Sequence, residues 1–143
     1  MHSQTETKAL SPQGPLTIVA PSQIGGRGVF ARQPIAAGAV IEIAPVLIVP
    51  PEQARSLMKT LLFHYFFRWS ESSKDVAVCL GFGSLYNHSS SPNAAYVRDF
   101  TRSQIIFRAI LNIAANEEIF TDYHSGRTND DKFNFETANQ DNQ

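Results

Sequence analysis

The chain has 143 residues, 43% hydrophobic and 17% charged, with a net charge of −1 from 12 Lys and Arg against 13 Asp and Glu. That is enough for one hydrophobic core and too little for two, and the charge balance argues against a basic nucleic-acid stripe, because phosphate binding rests on excess positive charge. A single cysteine, Cys79, excludes an internal disulfide framework and a Cys-built zinc site, and no apolar run approaches the roughly 20 residues needed to cross a bilayer.

In chain order, residues 1–14 have few apolar anchors and read as a mobile segment without the apolar core of a signal peptide, which makes a cytoplasmic, reducing setting the default. Leu16 to Ala20 reads as a first strand, rich in β-branched residues and closed by Pro21. The loop Gly25-Gly26-Arg27-Gly28 follows, a backbone path that residues with a Cβ would find hard. Val29 to Ala31 resumes an extended path, and Val40 to Ile43 and Val46 to Val49 read as two short strands, the second stopped by Pro50 and Pro51.

From Glu52 to Trp69 the spacing predicts one long helix. Ala54, Leu57, Met58, Leu61, Leu62, Tyr65, Phe66 and Trp69 recur at three- and four-residue intervals, and Pro51 suits a first turn. Phe63 and Phe67 fall off that stripe and are candidates to cover a partner. Val76 to Leu80 reads as a buried strand, Ala94 to Val97 and Gln104 to Ala109 as two strands around a polar turn, and Glu118 to Thr121 as the last. Many short strands, tight turns and one helix argue for a mainly β domain. It is expected over residues 15–126, followed by a polar tail, 127–143, whose apolar residues include Phe133 and Phe135.

Three stretches carry chemistry-bearing residues. Cys79 to Asn93 runs from a segment that reads as buried into Asn87-His88-Ser89-Ser90-Ser91 and the turn Pro92-Asn93. Buried polar groups there need partners, supplied by the backbone or by a ligand. Gly26 to Ala31 matches G-x-G-x-x-A, but Pro34 and Gly38 interrupt the helix that a dinucleotide site requires. Glu117 to Tyr123 reads alone as a charged approach to an edge strand with a terminal tyrosine. The four histidines are too dispersed for a metal set, and no serine sits in a G-x-S-x-G elbow.

Together, Gly-x-Gly, then Asn-His-Ser-x-x-Pro-Asn, then Glu-Glu-Ile-x-x-Asp-Tyr resemble the SET-domain protein-lysine methyltransferases, in the family's order from Leu16 to Tyr123. The intervening Gly81-Phe82-Gly83 is similar to short stand-alone SET proteins of large viruses and bacteria. The resemblance implies a SET fold of short, β-clip-like sheets with a C-terminal pseudoknot. It also implies transfer of a methyl group from S-adenosylmethionine to the ε-amine of a lysine in a histone or another protein. Cofactor binding would fall to Gly26, Arg27, Gly28, Tyr65, Asn87 and His88, with the two glycines where a Cβ would clash. Tyr65, Tyr96 and Tyr123 would line a substrate channel, with Tyr86 and Phe107 as further candidates, and Tyr123 would be catalytic.

Departures from the family matter too. Ser90 stands where zinc-binding relatives carry Cys, and the tail has none, so no metal is expected and Phe133 or Phe135 would cover the cofactor. Asn116 replaces the usual Gly before the Glu pair and tolerates a left-handed turn. A protein substrate carrying a lysine is the implied partner, with a homodimer as a further expectation because the viral relatives pair. No membrane and no direct nucleic-acid contact is expected, and a histone substrate would move the site of action to chromatin or a host nucleus. A non-catalytic SET-like interaction module is the competing expectation.

Overall fold

The computed structural model describes residues 11–124. Phe133, Phe135, the polar tail and residues 1–10 of the expected mobile segment lie outside the described residues. Nine strands are named here: β1 Thr17–Pro21, β2 Arg27–Ala31, β3 Val40–Val49, β4 Phe66–Arg68, β5 Val76–Cys79, β6 Asn87–His88, β7 Ala94–Asp99, β8 Gln104–Ala109 and β9 Glu118–Thr121. One α-helix, α1 Pro51–Leu57, and two single-turn 3₁₀ segments, Leu61–His64 and Gly83–Leu85, complete the described elements. None of the described helices is long and apolar enough to cross a membrane.

The strands form two sheets, ordered β1-β2-β9-β6 and β4-β5-β3-β8-β7. Alternation of apolar and polar residues sets which face is buried. In β8, Ile105, Phe107 and Ala109 are buried and their neighbours only partly so, the period-two pattern of a half-buried strand. In the smaller sheet β9 lies between β2, its antiparallel neighbour, and β6, which it meets in parallel. The last strand is thus inserted between two earlier ones. Ahead of it Asn116 takes φ 70°, the left-handed conformation that Asn tolerates better than most residues.

Two expectations are corrected. The predicted helix over Glu52 to Trp69 stops at Leu57. Thr60 is extended, its hydroxyl donates to the Leu57 carbonyl at 2.7 Å, and its oxygen accepts from the Leu62 amide. The chain then becomes the strand β4, pairing Phe66 with Val78 and Phe67 with Ala77. Aromatic residues suit a pleated surface, and here packing overrides helical spacing. Phe67 is half-buried, its ring meeting Tyr96 at 5.1 Å and Phe107 at 6.4 Å against the core. Phe63, by contrast, is exposed. The second correction concerns Val40 to Val49, which is one strand running through Pro45, with a register shift between Val40 and Glu42. At position 45 the ladder partner is Gln104 and the Leu80 amide donates to the Pro45 carbonyl, so the missing N–H breaks nothing essential.

β4 and β7 are at opposite edges of the five-stranded sheet, yet the sheet curls enough to bring them together. Buried Arg98 on β7 joins them, donating to the carbonyls of Arg68 at 3.1 Å and Trp69 at 2.7 Å. Its guanidinium also lies 5.5 Å from the centre of the Phe100 ring. Arg98→Ala strands both carbonyls, and we expect a loss of about 3 kcal/mol, the upper range for a hydrogen bond to a charged group. Urea unfolding with an unchanged denaturant slope measures it; a midpoint equal to that of the parent chain would show the clamp to be idle.

Candidate active site

The site begins where the smaller sheet closes. Glu118 on β9 accepts from the Ser22 hydroxyl at 2.7 Å through one carboxylate oxygen and from the Asn87 amide at 2.9 Å through the other. Asn87 also donates to the Arg27 carbonyl at 3.0 Å. These bonds draw the Gly25–Gly28 loop, β6 and β9 together. Gly28 is buried at the junction, and a Cβ on it would fall 2.5 Å from the Glu118 carboxylate and 2.9 Å from the Asn87 amide. The requirement at Gly26 is different. Its φ is +61°, while the space a Cβ would take is open.

The polar run after Cys79 is less buried than its setting suggests. Asn87, His88 and Ser89 are half-buried and Ser90 and Ser91 are exposed; Asn93 is the buried member. Asn93 is satisfied by backbone, accepting from the Phe120 amide at 2.8 Å and donating to the Glu118 carbonyl at 2.9 Å. It pins β9 and is a structural residue. His88 accepts the Tyr123 amide on Nδ1 at 3.0 Å, and the two rings lie 5.0 Å apart.

On the other side of Tyr123 is a cavity of about 670 Å³. Tyr65, Phe67, Tyr86, Tyr96 and Tyr123 supply its aromatic walls, and Arg68, Lys74 and Asp75 are among its charged lining residues. Tyr65 reaches this wall from the end of the Leu61–His64 turn rather than from a helical stripe. The Tyr123 hydroxyl donates to the Tyr86 carbonyl at 2.6 Å. Burial, with the nearby Tyr65 and Glu118 adding to it, raises the Tyr123 pKa above its ordinary value, so the hydroxyl keeps its proton at neutral pH. Tyr96 donates from its hydroxyl to the Tyr123 carbonyl at 3.4 Å.

Tyr65, Tyr96 and Tyr123 thus meet in one cavity, joined by Tyr86, whereas Phe107 lies behind them, stacked 4.5 Å from Tyr86 in the core. Arg27, Gly28 and Asn87 meet in a second cluster outside the cavity lining, and His88 and Tyr123 connect the two. Arg27 takes part through its carbonyl, its side chain being exposed. Glu118 lies within the Glu-Glu-Ile-x-x-Asp-Tyr motif but carried no assigned role there, and Glu42 lies outside the motifs. For Glu42 the signal was present: at period two it falls on the same face as Ala44 and Val46, both buried, which puts a carboxylate toward the core.

Comparison with known proteins bears on the family and the fold. The sequence profile described as SET domain matches residues 26–124. A Schizosaccharomyces pombe histone-lysine N-methyltransferase, specific for H3 lysine-37, is 38% identical over 99 residues, covering 68% of this chain and 66% of that protein. The match therefore spans just under two thirds of the relative's length. Among solved structures, a Plasmodium falciparum protein described as a candidate histone methyltransferase superposes with a TM-score of 0.62 at 29% identity, covering 78% of this chain and 95% of that one. A mutant Chaetomium thermophilum Polycomb Repressive Complex 2 shares the fold, with a TM-score of 0.66 at 19% identity, covering 77% of this chain and 15% of that one. By sequence and by fold, the chain belongs to the SET-domain family.

Proposed function

We propose that this chain is a protein-lysine N-methyltransferase using S-adenosylmethionine. The observation that carries the reading is the Tyr123 hydroxyl, whose proton is committed to the Tyr86 carbonyl at 2.6 Å beside an aromatic cavity. With its donor engaged, the oxygen keeps its lone pairs for a cationic neighbour.

The residues present fit the cofactor. A bare glycine backbone with open space at Gly26 suits close approach of a ligand's amino-acid end. The Asn87 side-chain carbonyl makes no hydrogen bond among the described residues and suits an ammonium group. When bound, S-adenosylmethionine would supply a methyl group carried on a sulfonium cation.

The chain's own residues would do the rest. A lysine of reference pKa near 10.4 must lose a proton, which costs about 4–5 kcal/mol at pH 7 in bulk water. Tyr65, Phe67, Tyr86 and Tyr96 line the cavity with rings that would displace water from a lysine side chain inserted there and disfavour its ammonium form. The same walls hold the amine in line for attack, an orientation effect. Tyr123 presents an acceptor oxygen to the amine and to the developing positive charge.

The fission-yeast relative suggests a histone lysine as acceptor, and action on chromatin would follow from it. Two measurements test the proposal together: the melting temperature with and without S-adenosylmethionine, and transfer of labelled methyl to histone and non-histone proteins. We expect several degrees of stabilisation and label on lysine. Absence of stabilisation at millimolar cofactor would overturn the proposal. Stabilisation without transfer to any panel member would favour the non-catalytic module.

A further inference from the structure

Glu42 is on β3 and is not among the residues lining the cavity, yet both of its carboxylate oxygens are committed to the chain that forms the cavity floor. One accepts the Tyr86 hydroxyl at 2.7 Å; the other accepts the Phe82 amide at 2.9 Å. Phe82 precedes the turn Gly83–Leu85, which leads directly into Tyr86. The carboxylate therefore grips this short segment at both ends.

The surroundings leave that segment little other freedom. Gly81 takes φ +65° and sits so close to Glu42 that a Cβ would fall 2.5 Å from the carboxylate. Gly83 is packed directly on the Cys79 thiol, with no room for a Cβ. The Tyr86 ring is stacked on Phe107. Burial and the neighbouring Glu42 push the Cys79 thiol up to about 12, so it remains a neutral packing group. Burial, and then Glu42, also raise the Tyr86 pKa well above its ordinary value, keeping the hydroxyl a donor.

We propose that Glu42 is a positioning residue for Tyr123: by fixing Tyr86 at its hydroxyl and at the turn before it, Glu42 fixes the Tyr86 carbonyl to which Tyr123 donates. The chain of contacts runs from Glu42 to the Tyr86 hydroxyl, through the Tyr86 backbone, to the Tyr123 hydroxyl. This rests on the methyltransferase reading for its kinetic consequences, but not for its geometry.

Glu42→Ala, Glu42→Gln and Tyr86→Phe test it. Tyr86→Phe removes one of Glu42's bonds while keeping the stacked ring, and so serves if Glu42→Ala does not fold. In the loss-of-contact variants we expect kcat to fall at least tenfold with KM for S-adenosylmethionine within twofold of the parent. Glu42→Gln keeps an acceptor for the Phe82 amide and a polar partner for Tyr86, and restores most of the rate. In a Tyr123→Phe background, loss of Glu42 or of the Tyr86 hydroxyl removes no further turnover. A kcat within twofold of the parent, measured well below the melting temperature, overturns the inference. So do losses that multiply independently.

A second readout separates this inference from the methyltransferase reading. Tyr123 titration is followed by tyrosinate absorbance, as the difference between each background with and without Tyr123→Phe. Loss of the Glu42–Tyr86 bond brings that titration down toward the ordinary tyrosine value, because the hydroxyl becomes more hydrated; an unchanged titration overturns the inference even in a chain that transfers no methyl.

Discussion

Tyr123→Phe keeps S-adenosylmethionine binding and loses most of the turnover, by roughly 100- to 1,000-fold, the range for removing one preorganised polar contact at a reacting centre. The substitution is confined to one oxygen. The ring still lies against His88, the backbone amide still donates to His88 Nδ1, and the backbone carbonyl still accepts from Tyr96. What disappears is the hydroxyl held by the Tyr86 carbonyl at 2.6 Å, and with it the acceptor oxygen at the cavity wall. Initial rates with a methyl-labelled cofactor, paired with calorimetric binding of the cofactor alone, separate the two effects. A rate within threefold of the parent would remove Tyr123 from the chemistry. Because burial raises the Tyr123 pKa, its own ionisation should not cut activity in the neutral range. The rate should rise with pH from about 7 to about 9, following deprotonation of the target lysine.

Gly28→Ala should be the most damaging single change in the second cluster. The backbone there does not need φ above zero; the obstacle is space. The added methyl would press on the Glu118 carboxylate and the Asn87 amide, which are bonded to each other at 2.9 Å. Neither can swing away freely, since Glu118 also holds Ser22 and Asn87 also holds the Arg27 carbonyl. We expect about 1–3 kcal/mol of destabilisation, as for an overpacked core site, and at least tenfold weaker binding of S-adenosylmethionine. Gly26→Ala is a comparison for stability alone: its Cβ would meet no protein atom, and only the left-handed backbone resists it, at about 1–2 kcal/mol. If Gly28→Ala melts and binds cofactor as the parent does, the junction has more slack than these distances allow. Adding Glu118→Ala to Gly28→Ala relieves the nearest clash and should recover stability without recovering the interaction with Asn87.

Most strands were legible because their signal is local. Gln104–Ala109 and Glu118–Thr121 fall where alternation and flanking turns put them. Asn116, read as a tolerable substitute for Gly, does adopt the left-handed conformation. The helix misled because its aromatic run satisfies two periods at once. Phe66 fits the helical repeat and Phe67 falls off it, yet both sit on one strand, and their partners Val78, Ala77, Tyr96 and Phe107 all lie beyond the reach of a helical turn. Thr60 ended the helix with a hydroxyl bond that composition alone does not announce.

By itself, the sequence determined the family, the tight Gly loop and the tyrosines that build the cavity, because these depend on residue identity and order. Only the tertiary structure decided how the pieces divide. The curl of the larger sheet brings Tyr96 from β7 to the Tyr65–Phe67 wall, and insertion of β9 beside β6 puts Tyr123 between that wall and the Asn87 cluster. It also showed that the polar run after Cys79 is mostly half-buried or exposed, with Asn93 its buried structural pin. The inward face of Glu42 was legible in the strand's alternation, but its partners were not, since they lie 40 and 44 residues further along the chain. A hydrogen bond closes on distance and angle, and the fold alone supplies both.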